Sequence, residues 1–129
     1  MTVFLLRHGQ TRGNLERRYV GSTDEPLCPQ GREALAGVRA PEADRVYVSP
    51  MLRCRETAAL LYPGMVQEVV PGFRETGFGS FEGHTYEELK DDPAYRAWLD
   101  GAGAAAPPGG EGREAVRRRV TEAFLALAA

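Results

Sequence analysis

Four side chains carry most of the chemical interest in this sequence: Arg7, His8, Arg53 and Glu75, with Asn14 close behind the first pair. Two guanidiniums gathered near a helix N-terminus make an oxyanion pocket, because their planar donors match phosphate oxygens and the helix dipole adds to them. A histidine inside such a pocket has a role that binding alone does not require. Its neutral imidazole can attack phosphorus, and neighbouring cations hold it neutral by lowering its pKa. Glu75 lies in a glycine-rich loop. Beside a bound phosphate dianion a carboxyl is pushed toward protonation and can protonate the leaving oxygen. The chemistry open to this set is phosphoryl transfer.

These side chains meet only if the chain between them folds suitably. Val3–Leu6 is a short apolar run ending in Arg7-His8-Gly9, the pattern of a buried strand that delivers functional groups at its C-terminal end. Residues 10–27 are polar and punctuated by glycine, which predicts a long loop. Pro29 opens a short helix to about Val38, and Arg45–Val48 is a second strand. Ser49-Pro50 predicts an N-cap and first helical residue, starting a helix to about Leu61 that carries Arg53 on its first turn. Val66–Val70 is a third strand, and residues 71–84 are a loop with four glycines. Thr85-Tyr86-Glu87-Glu88 fits a capping box, Asp92-Pro93 caps a helix ending before Gly101, and Arg113–Leu127 has a helical stripe of Val116, Val120, Phe124 and Leu127. Strands alternating with helices predict a three-layer α/β/α domain with a mainly parallel sheet and right-handed connections. Both arginines would then meet at the C-terminal edge of that sheet, where open α/β folds bind ligands.

At 129 residues, the chain is expected to form one domain spanning 1–129. Its net charge of -2 excludes the strong positive excess of a nucleic-acid module or polybasic membrane binder. No apolar run approaches the roughly 20 residues that span a bilayer, and the short N-terminal run lacks a signal-peptide cleavage site. The two cysteines, Cys28 and Cys54, make no disulfide framework, and the expected location is the cytoplasm.

The block Arg7-His8-Gly9-Gln10-Thr11-Arg12-Gly13-Asn14 resembles the Arg-His-Gly signature of the histidine phosphatase superfamily, the phosphoglycerate mutase-like proteins. The resemblance continues through residues 18–27, 49–58 and 74–83, and Pro107-Pro108-Gly109-Gly110-Glu111 is similar to the family's late loop before its last long helix. The blocks keep the family's order and span nearly the whole chain. The resemblance implies a phosphoglycerate mutase-like fold, with His8 as the phosphorylated nucleophile and Glu75 as proton donor. It implies that Arg7 and Arg53 clamp the phosphoryl oxygens while Asn14, Val20 and Gly21 line the substrate side. Positioning and two arginines suffice for a loose phosphoryl transition state, so no cofactor and no metal are expected.

One departure stands out. The family carries a second histidine on a later strand, and here the only other histidine is His84, in the wrong place. The expected explanation is a chain short at its C-terminus by on the order of 30 residues, one strand and its helix; a natural short form with reduced or no activity is the alternative. Either leaves an unpaired sheet edge, which opens pairing with a second copy as a homodimer. His84 is expected at the surface, and Cys28 and Cys54 as small fillers, the Cys54 thiolate favoured by Arg53. Arg117-Arg118-Arg119 is expected to be a solvated helix face, and Tyr95 and Trp98 to pack a cap over the sheet.

The chain lacks the long insertions of phosphoglycerate mutases, which favours hydrolysis of a small-molecule phosphomonoester over mutase chemistry. Residues 13–28 are most similar to the alpha-ribazole phosphatase branch, which acts late in cobalamin biosynthesis. A broad-specificity phosphatase and a mutase remain rivals. A catalytically silent phosphate-binding or interaction domain is the reading from another class.

Overall fold

The computed structural model describes residues 1–129. Six helices and two strands follow in the order α1 (Arg12–Leu15), α2 (Pro29–Ala36), β1 (Val46–Val48), α3 (Leu52–Leu61), β2 (Gln67–Val69), α4 (Tyr86–Leu89), α5 (Pro93–Asp100) and α6 (Arg113–Ala128). Single 3-10 turns at Pro71–Phe73 and Gly79–Phe81 shape the loop between β2 and α4. No helix is long and apolar enough to cross a membrane.

β1 and β2 pair in parallel, with Val46 opposite Gln67 and Val48 opposite Val69. The expected strand at Val3–Leu6 does not join them. It makes no backbone hydrogen bond and leaves Leu5 87% exposed. An apolar run becomes a strand only when a neighbour accepts its ladder, and this segment has none. It is tethered instead just beyond, where the Gly9 amide donates to Thr57 Oγ1 at 3.0 Å.

Local caps explain most helix starts. Thr85 and Glu88 form the expected capping box, and Asp92 Oδ1 accepts from the Ala94 and Tyr95 amides. The loop expected over residues 10–27 holds a helix of its own, α1, closed by a capping box between Thr11 and Asn14. Cys28 does more than fill space: its Sγ caps α2 by accepting from Gly31 N. The helix predicted from Ser49-Pro50 begins later, at Leu52, because the Leu52 amide finds Asp24 Oδ1 at 2.7 Å.

The main apolar cluster is aromatic. Phe81, Leu89 and Tyr95 are buried, with Tyr19, Phe78, Trp98 and Leu99 packed on them. Tyr19 and Tyr95 share a hydroxyl hydrogen bond of 2.8 Å, and burial with that bond pushes the Tyr95 phenol up. Tyr95 and Trp98 therefore pack against the loop segments around residues 19 and 78–81, and no β1 or β2 residue belongs to their cluster.

Candidate active site

His8 stands at the junction of two cavities. The larger, about 630 Å³, is lined by Arg7, Asn14, Arg17, Arg18 and Tyr86 among others. The smaller, about 200 Å³, is lined by Arg53, Glu75, Cys54 and Ser49, with Val116 and Val120 from α6. His8 Nδ1 lies 2.6 Å from the Gly9 carbonyl oxygen. A carbonyl only accepts, so Nδ1 carries the proton and Nε2 keeps its lone pair. Burial is the main cause that holds the imidazole pKa below its ordinary value. Arg53 and Arg7 add to it, while the Gly9 bond and Glu75 oppose. The neutral state thus comes first from desolvation and only second from the cations the sequence pointed to.

The two arginines differ. Arg53 is 1% exposed. Its Nη1 donates to Thr23 O and its Nη2 to Gly21 O, each at 2.8 Å. Its Nε is the one buried side-chain nitrogen or oxygen without a partner. Arg7 is exposed and makes no side-chain hydrogen bond. Thr57 links the two halves of the site, since its hydroxyl accepts from Gly9 N and donates to Arg53 O. Nothing in the sequence marked Thr57; its place one helical turn after Arg53 is the only clue.

Asn14 lines the larger cavity, with its amide oxygen taken by the Thr11 amide. Val20 and Gly21 line neither cavity that His8 shares. Gly21 instead stands behind Arg53, where a Cβ would collide with the Thr76 carbonyl and come within 2.6 Å of Glu82 Oε1. Glu75 borders the smaller cavity and its Oε1 accepts from Thr76 N at 2.8 Å. His84 is exposed, 3.8 Å from Glu88, and lines neither cavity. Cys54 departs from expectation, because burial pushes its thiol up and outweighs Arg53.

A carboxylate hub supports Arg53. Glu82 accepts from the Gly21, Ser22 and Phe78 amides and from the Ser22 and Thr23 hydroxyls, and so fixes the loop whose carbonyls hold Arg53. Burial pushes its pKa up, but these donors hold it below the ordinary 4.5. A depressed carboxyl pKa stabilises the native state above the unfolded value, and that gain is lost as pH falls through the folded one. Glu82→Gln is therefore expected to cost about 2 kcal/mol at neutral pH, with the deficit shrinking as acid is added below about pH 4. Urea titrations of both chains across that range provide the check; a deficit that grows in acid would contradict it.

Parallel strands, with a buried arginine and a half-buried histidine lining one cavity, fit an α/β fold of the phosphoglycerate mutase type. The chain belongs to the histidine phosphatase superfamily (branch 1), whose sequence profile matches residues 3–129. It is similar to the adenosylcobalamin/alpha-ribazole phosphatase of Salmonella typhimurium, 34% identical over 97% of this chain and 65% of that protein. Among solved structures, the alpha-ribazole phosphatase of Shigella flexneri superposes with a TM-score of 0.85, at 28% identity, over 95% of this chain and 65% of the other. A phosphoglycerate mutase from Thermus thermophilus gives 0.75 at 36% identity, over 93% and 68%. The chain thus spans about two thirds of the length of these relatives.

Proposed function

We propose that this chain carries the phosphoryl-accepting half of a phosphatase that hydrolyses phosphomonoesters through a phosphohistidine at His8. The observation that carries the reading is the His8 tautomer: Nδ1–H is tied to Gly9 O, leaving Nε2 free beside a buried arginine with an unpartnered donor. Nε2 attacks phosphorus and the P–O ester bond breaks. Glu75 passes its proton to the leaving oxygen, and Arg53 with Arg7 balances charge on the equatorial oxygens. Water then attacks the phosphohistidine, gives its proton to Glu75 and releases phosphate as the P–N bond breaks. Asn14 and the larger cavity receive the alcohol portion, while Gly21 supports Arg53 through its carbonyl oxygen.

The substrate we assign is alpha-ribazole 5'-phosphate, the reading that the similarity to the Salmonella and Shigella proteins favours; its setting would be cobalamin biosynthesis in the cytoplasm. Incubation with a labelled phosphomonoester is expected to give an acid-labile label on the chain that His8→Ala abolishes. A label that persists in His8→Ala overturns the mechanism. Faster turnover of 3-phosphoglycerate than of alpha-ribazole 5'-phosphate overturns the substrate. One observation favours a second reading, a domain that binds phosphate without turnover: of the two histidines, only His8 faces the cavities. Reversible phosphate binding with no label would select it.

A further inference from the structure

Glu75 is exposed, and its carboxylate takes its only hydrogen bond from the Thr76 backbone amide. A proton donor in such a loop is useful only if the backbone beneath it is held. The holding comes from α6. Arg119, whose side chain is 14% exposed, donates through Nη1 to Gly72 O at 2.9 Å and to Arg74 O at 2.8 Å. Its Nη2 reaches Glu111 Oε1 at 2.8 Å and lies 3.5 Å from Glu75 O. Its Nε donates to Glu111 Oε2 at 3.2 Å.

Glu111 continues the brace on the other side of Glu75. Its Oε1 accepts from Gly77 N at 2.9 Å, and its own amide donates to Gly77 O at 2.8 Å. Arg74 adds a weaker contact to Glu111 Oε2 at 3.6 Å. The Gly72 and Arg74 carbonyls before Glu75 and the Gly77 amide after it are thus tied to one ion pair, and Gly77 O is tied to the backbone of Glu111. Gly72 lets the loop approach this closely, since a Cβ there would stand 2.6 Å from Ala123 Cβ. The charged triplet at 117–119 is therefore not uniformly solvated: Arg117 and Arg118 are exposed and Arg119 turns inward.

We infer that Arg119, through its pair with Glu111, is a positioning residue that aims Glu75 at the leaving oxygen. This rests on the phosphohistidine reading above. It differs from a role in general stability by one consequence. Proton donation matters for a poor leaving group and hardly at all for a good one. Misaiming the donor should therefore slow attack on an alkyl phosphate and spare attack on 2,4-dinitrophenyl phosphate.

The test measures labelling of His8 by the two esters in the unsubstituted chain, Arg119→Gln, Arg119→Lys and Glu111→Gln. General acids contribute about 10²–10⁴-fold, so Arg119→Gln is expected to slow the alkyl ester at least about tenfold and the dinitrophenyl ester less than about threefold. Arg119→Lys should recover only part, because one ammonium cannot serve two carbonyls and a bidentate carboxylate. Glu111→Gln keeps an acceptor for Gly77 and removes the ion pair, so it should show the same selective loss even if Arg119→Gln folds poorly. Equal losses on both esters, or none on either, overturn the positioning role while leaving the phosphohistidine intact. No label at His8 in the unsubstituted chain with the dinitrophenyl ester overturns the functional reading and the positioning role together.

Discussion

Arg53→Ala is expected to reduce phosphohistidine formation by about 10²–10³-fold, the usual cost of removing one donor aimed at developing charge. It should also destabilise the chain, because Gly21 O loses a buried partner and Thr23 O a part-buried one. Each orphaned group costs about 1–3 kcal/mol. Arg53→Lys separates the two effects. A lysine keeps the charge and has three donors, but they diverge from one nitrogen and cannot span the positions of the planar guanidinium fork, so it should restore part of the stability and little of the rate. Labelling rates and urea midpoints for the three chains decide the matter. An alanine variant that labels at the unsubstituted rate would remove Arg53 from the site.

Gly21→Ala should be nearly as damaging without removing a charged group. The added methyl would run into the Thr76 carbonyl and stand 2.8 Å from Phe78 Cδ2. Overpacking costs about 1–3 kcal/mol when side chains can yield, and a backbone carbonyl yields less. A loss of at least about 3 kcal/mol is expected, together with weakened phosphate binding as Gly21 O swings away from Arg53. Gly37→Ala is the control, since its nearest neighbour atom would be Ala34 O at 3.9 Å. Chemical denaturation of both variants reads the difference; equal stability would show that the loop around Gly21 gives way freely.

What the sequence disclosed follows a physical divide. Features closed within a few residues were legible, such as the Thr85 and Asp92 caps and the turn-rich stretch at 71–84. Features that depend on a distant partner were not. The start of α3 is decided by Asp24, and the fate of Val3–Leu6 by the lack of a neighbouring strand. His8, Arg53 and Glu75 line one cavity, while Arg7 and Asn14 line the other, so the two arginines expected at one edge face different cavities. The carboxylates that organise the site, Glu82 and Glu111, lie in blocks that carry the family resemblance, but nothing in the sequence pointed to their bracing roles. Arg119 left a faint trace: it lies three residues after Val116 and four before Ala123, on the face that turns inward.

The bonds that build the smaller cavity join residues far apart along the chain: Arg53 reaches back 32 residues to Gly21, and Arg119 reaches back 47 to Gly72. Each such tie requires a loop to be closed before it gives anything back, whereas α2, α3 and α6 form from neighbours. The order of assembly follows. Helices are expected to come first, and the ties that build the smaller cavity among the last events of folding. On the proposed reading, an oxyanion that recognises only the finished arrangement would act by mass action on that final step and draw the whole chain toward its native state.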